Sequence, residues 1–168
     1  MRLDVGCGNA PFGDVNVDLP SSELHRDGKR LAVKKIPNFL YASAYNLPFH
    51  NDCFDEVVAF HLLEHLDMPL IALREMVRSS KNTVTVVVPA FTFPGECGEH
   101  LYTWGEGSLF NILRKAGLKD VKVTTGSFHE VKGKVLKFVY KRSHIMGNFL
   151  MVFMKKLYRI ELQGTGNK

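Results

Sequence analysis

Two glycines and two carboxylates near the start of the chain have the types and order of a nucleoside-binding turn. Asp4 lies in a short apolar run that leads into Gly6 and Gly8. A second short run, Val-Asn-Val, ends at Asp18. Glycine adopts positive φ readily and lacks a Cβ, so a ligand can approach the backbone closely. A carboxylate ending the neighbouring strand can accept hydrogen bonds from both hydroxyls of a ribose. We therefore predict a nucleoside site at the carboxyl edge of an open α/β sheet.

The spacing within this stretch argues against a dinucleotide. Asp18 follows Gly8 by ten residues, whereas a dinucleotide fingerprint places its acid about 20 residues on, after a full helix. Pro11 and Gly13 would break such a helix, so no helix N-terminus is available for a pyrophosphate. A nicotinamide-dependent dehydrogenase therefore fits this stretch poorly and is the weakest functional alternative.

Two histidines are candidate proton acceptors, because histidine titrates near neutral pH. His61 directly follows the fourth predicted strand, and His100 lies in a long loop together with Tyr102 and Trp104. Long loops are often lids or binding loops, and the two rings could hold an apolar or planar substrate. The alternatives are that His61 only hydrogen-bonds a ligand or caps a short helix, and that Tyr102 and Trp104 anchor the loop over the sheet.

Alternating short apolar runs and helical patterns would position these residues. The predicted strands are residues 2–5, 15–17, 38–42, 54–60, 84–88, 121–125 and 135–140, and the predicted helices are residues 70–79, 108–116 and 143–162. Asp67 is the predicted N-cap of the first helix and Gly117 the C-terminal cap of the second. The last two strands are close enough in sequence to pair antiparallel, whereas the earlier strands need crossovers.

Composition sets the broad class. The chain has 168 residues, of which 45% are hydrophobic, and a net charge of +5, as expected for one ordinary globular domain. Three cysteines without paired metal spacing predict no metal site, and together with the missing secretory signal they favour a cytoplasmic protein.

Residues 145–160 contain an apolar patch followed by cations. They are too short to span a bilayer, and could pack on the sheet, form a homodimer seam or contact a membrane surface.

Three blocks, taken together, resemble a known family. Residues 3–8 with Asp18, residues 46–55 and residues 63–66 resemble the class I S-adenosylmethionine-dependent methyltransferases, and most of all their small "type 11" group. Residues 109–118 resemble the last helix of that group. The resemblance implies a Rossmann-like open sheet of about seven strands, mostly parallel with a C-terminal antiparallel pair, and with helices on both faces.

The resemblance also implies residue roles. Asp4, Gly6 and Gly8 would shape the pocket for the methionine part of the cofactor, and Asp18 would bind the ribose. Ser43 and Ala44 stand where the family often has Asp-Ala against the adenine. The full set of implied cofactor contacts is Asp4, Gly6, Cys7, Gly8, Asp18, Leu19, Ser43, Ala44, His61 and Leu62.

Two departures from the family qualify this expectation. Ser43 replaces the common aspartate, which weakens a contact to the adenine amino group or leaves it to a backbone carbonyl. The first strand begins at Arg2, without the helices that precede it in the family. The alternatives are that the long loop, the basic segment after Asp18 or another subunit covers the cofactor, or that nothing covers it.

The functional expectation is methyl transfer from S-adenosyl-L-methionine, with S-adenosyl-L-homocysteine as product. The expected acceptor is a small molecule, including lipid- or sugar-linked ones, and no nucleic-acid partner is expected. The alternative is a non-catalytic cofactor-binding or partner subunit of the same fold. Residues 1–142 would form the methyltransferase domain, and residues 143–168 a C-terminal helix and tail of that domain.

Overall fold

The computed structural model describes residues 1–20, 31–90, 100–126 and 161–168, in which seven strands form one sheet. The strand order is β3-β2-β1-β4-β5-β7-β6. The strands are β1 (Arg2–Val5), β2 (Val15–Asp18), β3 (Phe39–Tyr41), β4 (Phe54–Phe60), β5 (Ser80–Pro89), β6 (Lys119–Gly126) and β7 (Glu161–Asn167). The helices are α1 (Pro69–Ser79) and α2 (Glu106–Ala116), and single 3₁₀ turns occupy Val33–Lys35 and Leu63–His65.

The first five strands form the parallel part of the sheet. β1 pairs with both β2 and β4, β2 pairs with β3, and β4 pairs with β5, all in parallel. Strands buried on both faces need continuous apolar runs, and Leu3, Val57 and Val84 are fully buried. The predicted fold class is confirmed: a mostly parallel seven-stranded sheet that ends in an antiparallel pair.

The composition of that antiparallel pair differs from the prediction. β6 pairs antiparallel with β7, at residues 161–167, and the predicted partner at residues 135–140 lies outside the described residues. The predicted helix over residues 143–162 is wrong at its last two residues, which belong to β7. The rest of that helix lies outside the described residues. The same holds for the predicted contact segment at residues 145–160 and the predicted boundary at residue 143.

The sequence of β7 conceals a strand because it contains two glycines, which weaken strand propensity. Tertiary contacts explain them. A Cβ on Gly164 would lie 2.5 Å from Cδ1 of Leu113 in α2, and a Cβ on Gly166 would lie 2.9 Å from Cβ of Leu118. The glycines therefore let α2 and the residues after it lie directly on the strand. Pairing with β5 on one side and β6 on the other stabilises β7 despite its composition.

The two helices begin and end largely as expected. Gly117 has φ +109° and caps α2 in the left-handed conformation, which confirms the prediction. The predicted N-cap of α1 is wrong, because Met68 and not Asp67 occupies the cap position and makes no side-chain cap bond. Pro69 is the first helical residue, and the residue before a proline is held out of the helical conformation, so the cap falls on Met68.

Arg78 joins α1 to the chain after β3. Its guanidinium donates to the carbonyl oxygens of Phe49 (2.7 Å) and Leu47 (3.0 Å) and to both carboxylate oxygens of Glu75 (2.8 Å each). These hydrogen bonds lower the pKa of Glu75. The arrangement holds the Leu-Pro-Phe loop against the helix.

We expect Arg78→Ala to lower the free energy of unfolding by about 2 kcal/mol, because carbonyl oxygens and a carboxylate lose charged hydrogen bonds. Arg78→Lys should recover little of it, since an ammonium cannot reproduce the fork of donors. Urea unfolding measures both changes. Arg74, exposed on the same helix, provides the control, and an equal loss in Arg74→Ala would contradict this assignment.

Candidate functional site

The residues predicted to do chemistry meet at one edge of the sheet. β2, β1 and β4 are neighbours and run in parallel, so their carboxyl ends lie side by side. Asp18 ends β2, the glycine turn follows β1, and His61 follows β4. Open α/β sheets bind ligands at this edge.

The glycine turn has the backbone that only glycine adopts without strain. Gly6 and Gly8 have φ of +73° and +52°. The N–H groups of Gly6 and Cys7 both donate to the carbonyl oxygen of Val17, at 2.8 and 3.2 Å, which fixes the turn to β2. A Cβ on Gly6 would lie 2.8 Å from Cδ1 of Leu62, so Leu62 packs directly on the turn.

Asp18 is held in place by two backbone donors. One of its carboxylate oxygens accepts from the N–H of Gly8 at 2.8 Å, and the other accepts from the N–H of Leu19 at 2.7 Å. Each carboxylate oxygen has a second lone pair and can accept a further hydrogen bond. The carboxylate is thus oriented with acceptor capacity left on both oxygens, and the Leu19 side chain beside it is 51% exposed.

Asp4 is a buried carboxylate with one unsatisfied oxygen. Its Oδ2 accepts from the N–H of Phe12 at 2.9 Å, whereas its Oδ1 has no hydrogen-bond partner. Burial, with a smaller contribution from the negative charge of Asp18, raises the pKa of Asp4 to about 6, against the opposing effect of the Phe12 hydrogen bond. Such a group would be stabilised by a cation brought close to Oδ1.

The raised pKa of Asp4 predicts a pH-dependent stability that Asp4→Asn removes. The unfolded chain releases this proton near pH 3.8 and the folded protein near pH 6, so the folded state binds more protons between these values. The free energy of unfolding of the unsubstituted protein therefore falls as the pH rises through that range. We expect Asp4→Asn to gain up to about 3 kcal/mol in relative stability between pH 4 and pH 7. Urea unfolding at both pH values measures the gain, and a pH-independent difference would contradict it.

Cys7 lies within the turn but is not a nucleophile. Its side chain is buried, and burial together with the charges of Asp18 and Asp4 raises the pKa of its thiol to about 12. The thiol is therefore neutral at physiological pH, and a neutral thiol is a poor nucleophile because only the thiolate reacts readily.

Two residues that sequence analysis did not assign to the site support this turn. Asn16 is fully buried; its Oδ1 accepts from Gly13 N at 3.0 Å, and its Nδ2 donates to the carbonyl oxygens of Gly13 (3.1 Å) and Pro37 (2.8 Å). A Cβ on Gly13 would lie 2.7 Å from the backbone N of Asp4. The available signal was a polar residue inside an apolar strand, which requires a hydrogen-bonding partner.

Ser43 and Ala44 follow β3, which neighbours β2 and so lies on the side of Asp18. The N–H of Ala42 donates to the carbonyl oxygen of Asp18 at 3.0 Å, which ties the two strand ends together. Ser43 Oγ accepts from the N–H of Tyr45 at 3.2 Å, and the Ala44 side chain is buried. These two residues therefore follow directly on the point where the end of β3 is bonded to the end of β2.

His61 has an unusual backbone for its residue type. Its φ is +54°, and its N–H donates to the carbonyl oxygen of Val87 at 2.8 Å, which holds this conformation at the end of β4. Its Nδ1 lies 3.4 Å from Oε1 of Glu64. Non-glycine residues held in this region cost about 1–3 kcal/mol and cluster at functional sites.

The chain before α2 returns to this edge. The N–H of Leu101 donates to the carbonyl oxygen of Glu64 at 2.8 Å, and the Tyr102 hydroxyl donates to the carbonyl oxygen of Asp67 at 2.8 Å. Trp104 is only 4% exposed and belongs to the hydrophobic core. Burial favours the loop-anchor alternative for Trp104 over a role in a lid. Residues 91–99 of the predicted lid lie outside the described residues, and His100 and Tyr102 remain candidates.

Comparison with known proteins places this architecture in a family. The profile of the family described as "Methyltransferase domain" matches residues 3–88, half of the chain and all of the site from β1 to β5. The chain belongs to this methyltransferase family. An uncharacterised methyltransferase of Mycobacterium leprae is 30% identical over 131 residues, 70% of this chain and 48% of the relative. The methyltransferase chain thus spans about half the length of the curated relatives it matches.

Solved structures share the fold of this methyltransferase domain. A Thermotoga maritima protein described as an S-adenosylmethionine-dependent methyltransferase and "possible histamine N-methyltransferase" has a TM-score of 0.67 and 19% identity, over 100% of this chain and 82% of that one. Phosphoethanolamine N-methyltransferase 2 of Haemonchus contortus, solved with phosphomonomethylethanolamine and S-adenosylhomocysteine, has a TM-score of 0.62 and 17% identity, over 99% of this chain and 48% of that one. The Haemonchus contortus protein therefore shares this fold and was solved with S-adenosylhomocysteine bound.

Proposed function

We propose that this domain binds S-adenosylmethionine and transfers its methyl group to a small-molecule acceptor. The observation that carries the proposal is the Asp18 carboxylate, which two backbone donors orient at the end of β2 beside two left-handed glycines. Its two remaining acceptor positions suit the vicinal hydroxyls of a ribose.

The neighbouring residues fit the remaining parts of this cofactor. The unsatisfied Oδ1 of Asp4 suits the α-ammonium group of the methionine part, because a cation there would offset the cost of a buried carboxylate. Gly6 and Gly8 would shape the turn against which that part lies, with Leu62 packed on Gly6. The predicted adenine contacts are Leu19, Ser43 and Ala44, and those near the methyl group are His61 and Leu62.

The bound cofactor would supply a methyl group already activated by its positive sulfur. The residues of the chain would align the acceptor and exclude water, since proximity and orientation can supply several kcal/mol of the barrier. A base is needed only where the acceptor carries a proton that must leave. His61, held at the end of β4 with Nδ1 beside Glu64, and His100 are the candidates for that role.

The acceptor class is inferred from chemistry and from relatives. The two solved relatives described above are named for small amine acceptors. A small molecule, including a lipid- or sugar-linked one, remains the proposed acceptor, and a cytoplasmic location the proposed compartment. Among the described residues, none of the helices has the length and apolar character needed to cross a bilayer.

Calorimetric titration with S-adenosylhomocysteine tests the binding step. We expect micromolar affinity, and much weaker binding of NAD, because the turn lacks a helix N-terminus for the pyrophosphate. Transfer of labelled methyl groups to a panel of small amines, phenols and lipid- or sugar-linked alcohols then tests catalysis. Absence of nucleoside binding would contradict the proposal. Binding without transfer to any acceptor would favour the non-catalytic alternative.

A further inference from the structure

A glutamate and two histidines come together beyond the carboxyl end of β4. Glu64 and His65 lie in the 3₁₀ turn after that strand, and His100 lies just before the segment that leads into α2. One candidate ligand atom from each residue lies within 4.8 Å of the other two. The two imidazole rings have centroids 4.8 Å apart and are inclined at 75°. The cluster therefore brings the ligand atoms of two imidazoles and one carboxylate within 4.8 Å of one another.

The carboxylate of this cluster is buried without the hydrogen bonds that such burial normally requires. The Glu64 side chain has no solvent exposure, and neither of its oxygens has a hydrogen-bond partner. Nδ1 of His61 is 3.4 Å from Oε1, too far for a good hydrogen bond. An ionised carboxylate in such a position is costly unless a cation accompanies it.

Backbone contacts hold the three ligand residues together. The N–H groups of Leu101 and Tyr102 both reach the carbonyl oxygen of Glu64, at 2.8 and 3.4 Å. These bonds fix the position of His100 relative to the 3₁₀ turn, although the two segments are far apart in sequence. Backbone hydrogen bonds therefore hold the two segments of the cluster together.

We propose that Glu64, His65 and His100 form a binding site for a divalent transition-metal ion of the Zn²⁺ type. Imidazole nitrogens and carboxylate oxygens are ordinary zinc ligands, at about 2.0–2.2 Å from the ion. Ligand atoms of a tetrahedral site lie about 3.4 Å apart, so the present separations need only modest side-chain movement. His65 is exposed and His100 is half-buried, so the site lies between the surface and the buried Glu64 side chain. Three protein ligands leave the fourth position to water or another small ligand.

The test is a titration of tag-free, chelator-treated protein with ZnCl₂, with bound metal measured after ultrafiltration. We expect one Zn²⁺ per chain at micromolar or tighter affinity. His65→Ala and His100→Ala should each weaken binding at least about 10-fold, since even indirect supports of metal ligands have effects of this size. His50→Ala is the matched control, because His50 is exposed and outside the cluster. Its affinity should equal that of the unsubstituted protein.

Two further measurements distinguish loss of the metal site from misfolding of the variants. Co²⁺ in place of Zn²⁺ should give the visible absorption of a four-coordinate site, and the spectrum should be lost in the two histidine variants. Excess Zn²⁺ should raise the Tm of the unsubstituted protein but not that of the double histidine variant. Glu64→Gln should also weaken binding. Equal zinc affinity in all histidine variants, or no stoichiometric zinc at micromolar concentration, would overturn the proposal.

These measurements need neither nucleoside nor acceptor. A protein that binds zinc but not S-adenosylhomocysteine would refute the proposed function alone. One that binds S-adenosylhomocysteine but not zinc would refute this site alone.

Discussion

Asp18→Ala is expected to raise the Kd for S-adenosylhomocysteine by about 100-fold or more, a loss of about 2.7 kcal/mol. The alanine removes both proposed acceptors of the ribose hydroxyls. It also removes the acceptors of Gly8 N and Leu19 N, so the glycine turn loses its tie to the end of β2. Calorimetric titration of the purified variant measures the change, and circular dichroism checks that it is folded.

The isosteric substitution Asp18→Asn is a more specific test of the same contacts. In Asp18→Asn one carboxylate oxygen becomes an NH₂ group, which would then face either Gly8 N–H or Leu19 N–H, donor against donor. We therefore expect Asp18→Asn to lose at least 10-fold in affinity, about 1.4 kcal/mol, despite its similar shape.

Asp55→Ala provides the matched control, because Asp55 is exposed near the amino end of β4 and pairs with the N-terminus and Lys81. Its affinity should be unchanged. Unchanged affinity in Asp18→Ala would refute the assigned ribose contact.

Gly13→Ala is expected to lower the free energy of unfolding by about 3 kcal/mol and to weaken S-adenosylhomocysteine binding. The new Cβ would lie 2.4 Å from the carbonyl oxygen of Val15 and 2.7 Å from the backbone N of Asp4. Both are backbone atoms of paired strands, which cannot move aside as a flexible side chain can. The turn would have to shift, and with it the hydrogen bonds between Gly13 and Asn16.

Gly107→Ala is the matched control for this substitution. A Cβ there would meet nothing within 4 Å, and Gly107 lies in the first turn of α2. Alanine is the better helix former, so stability should stay the same or rise by up to about 1 kcal/mol. Urea unfolding measures both variants. Equal stability of Gly13→Ala and Gly107→Ala would show that the turn tolerates a side chain.

Local sequence was sufficient to predict the part of the chain from β1 to α1. Continuous apolar runs predicted the buried strands, and the glycines between Asp4 and Asp18 predicted the turn, because only glycine adopts its backbone freely. The family resemblance rested on the same residues, and the match to residues 3–88 confirms it. The roles assigned to Asp18, His61 and the other site residues stay predictions.

Long-range contacts determined the features that sequence analysis missed or misplaced. β7 has the composition of a loop and is a strand because β5 and β6 pair with both of its edges. Trp104 could have faced either a ligand or the core, and packing placed it in the core.

The sequence alone therefore determined the fold class and the glycine turn after β1, since the strand patterns and the turn depend on neighbours a few residues apart. Only the tertiary structure decided which strand lies between β5 and β6, that Asn16 donates to the carbonyl oxygen of Pro37, and that His100 lies beside Glu64 and His65. Those features depend on groups that are far apart along the chain, and a periodic pattern in one segment carries no information about the segment that packs against it.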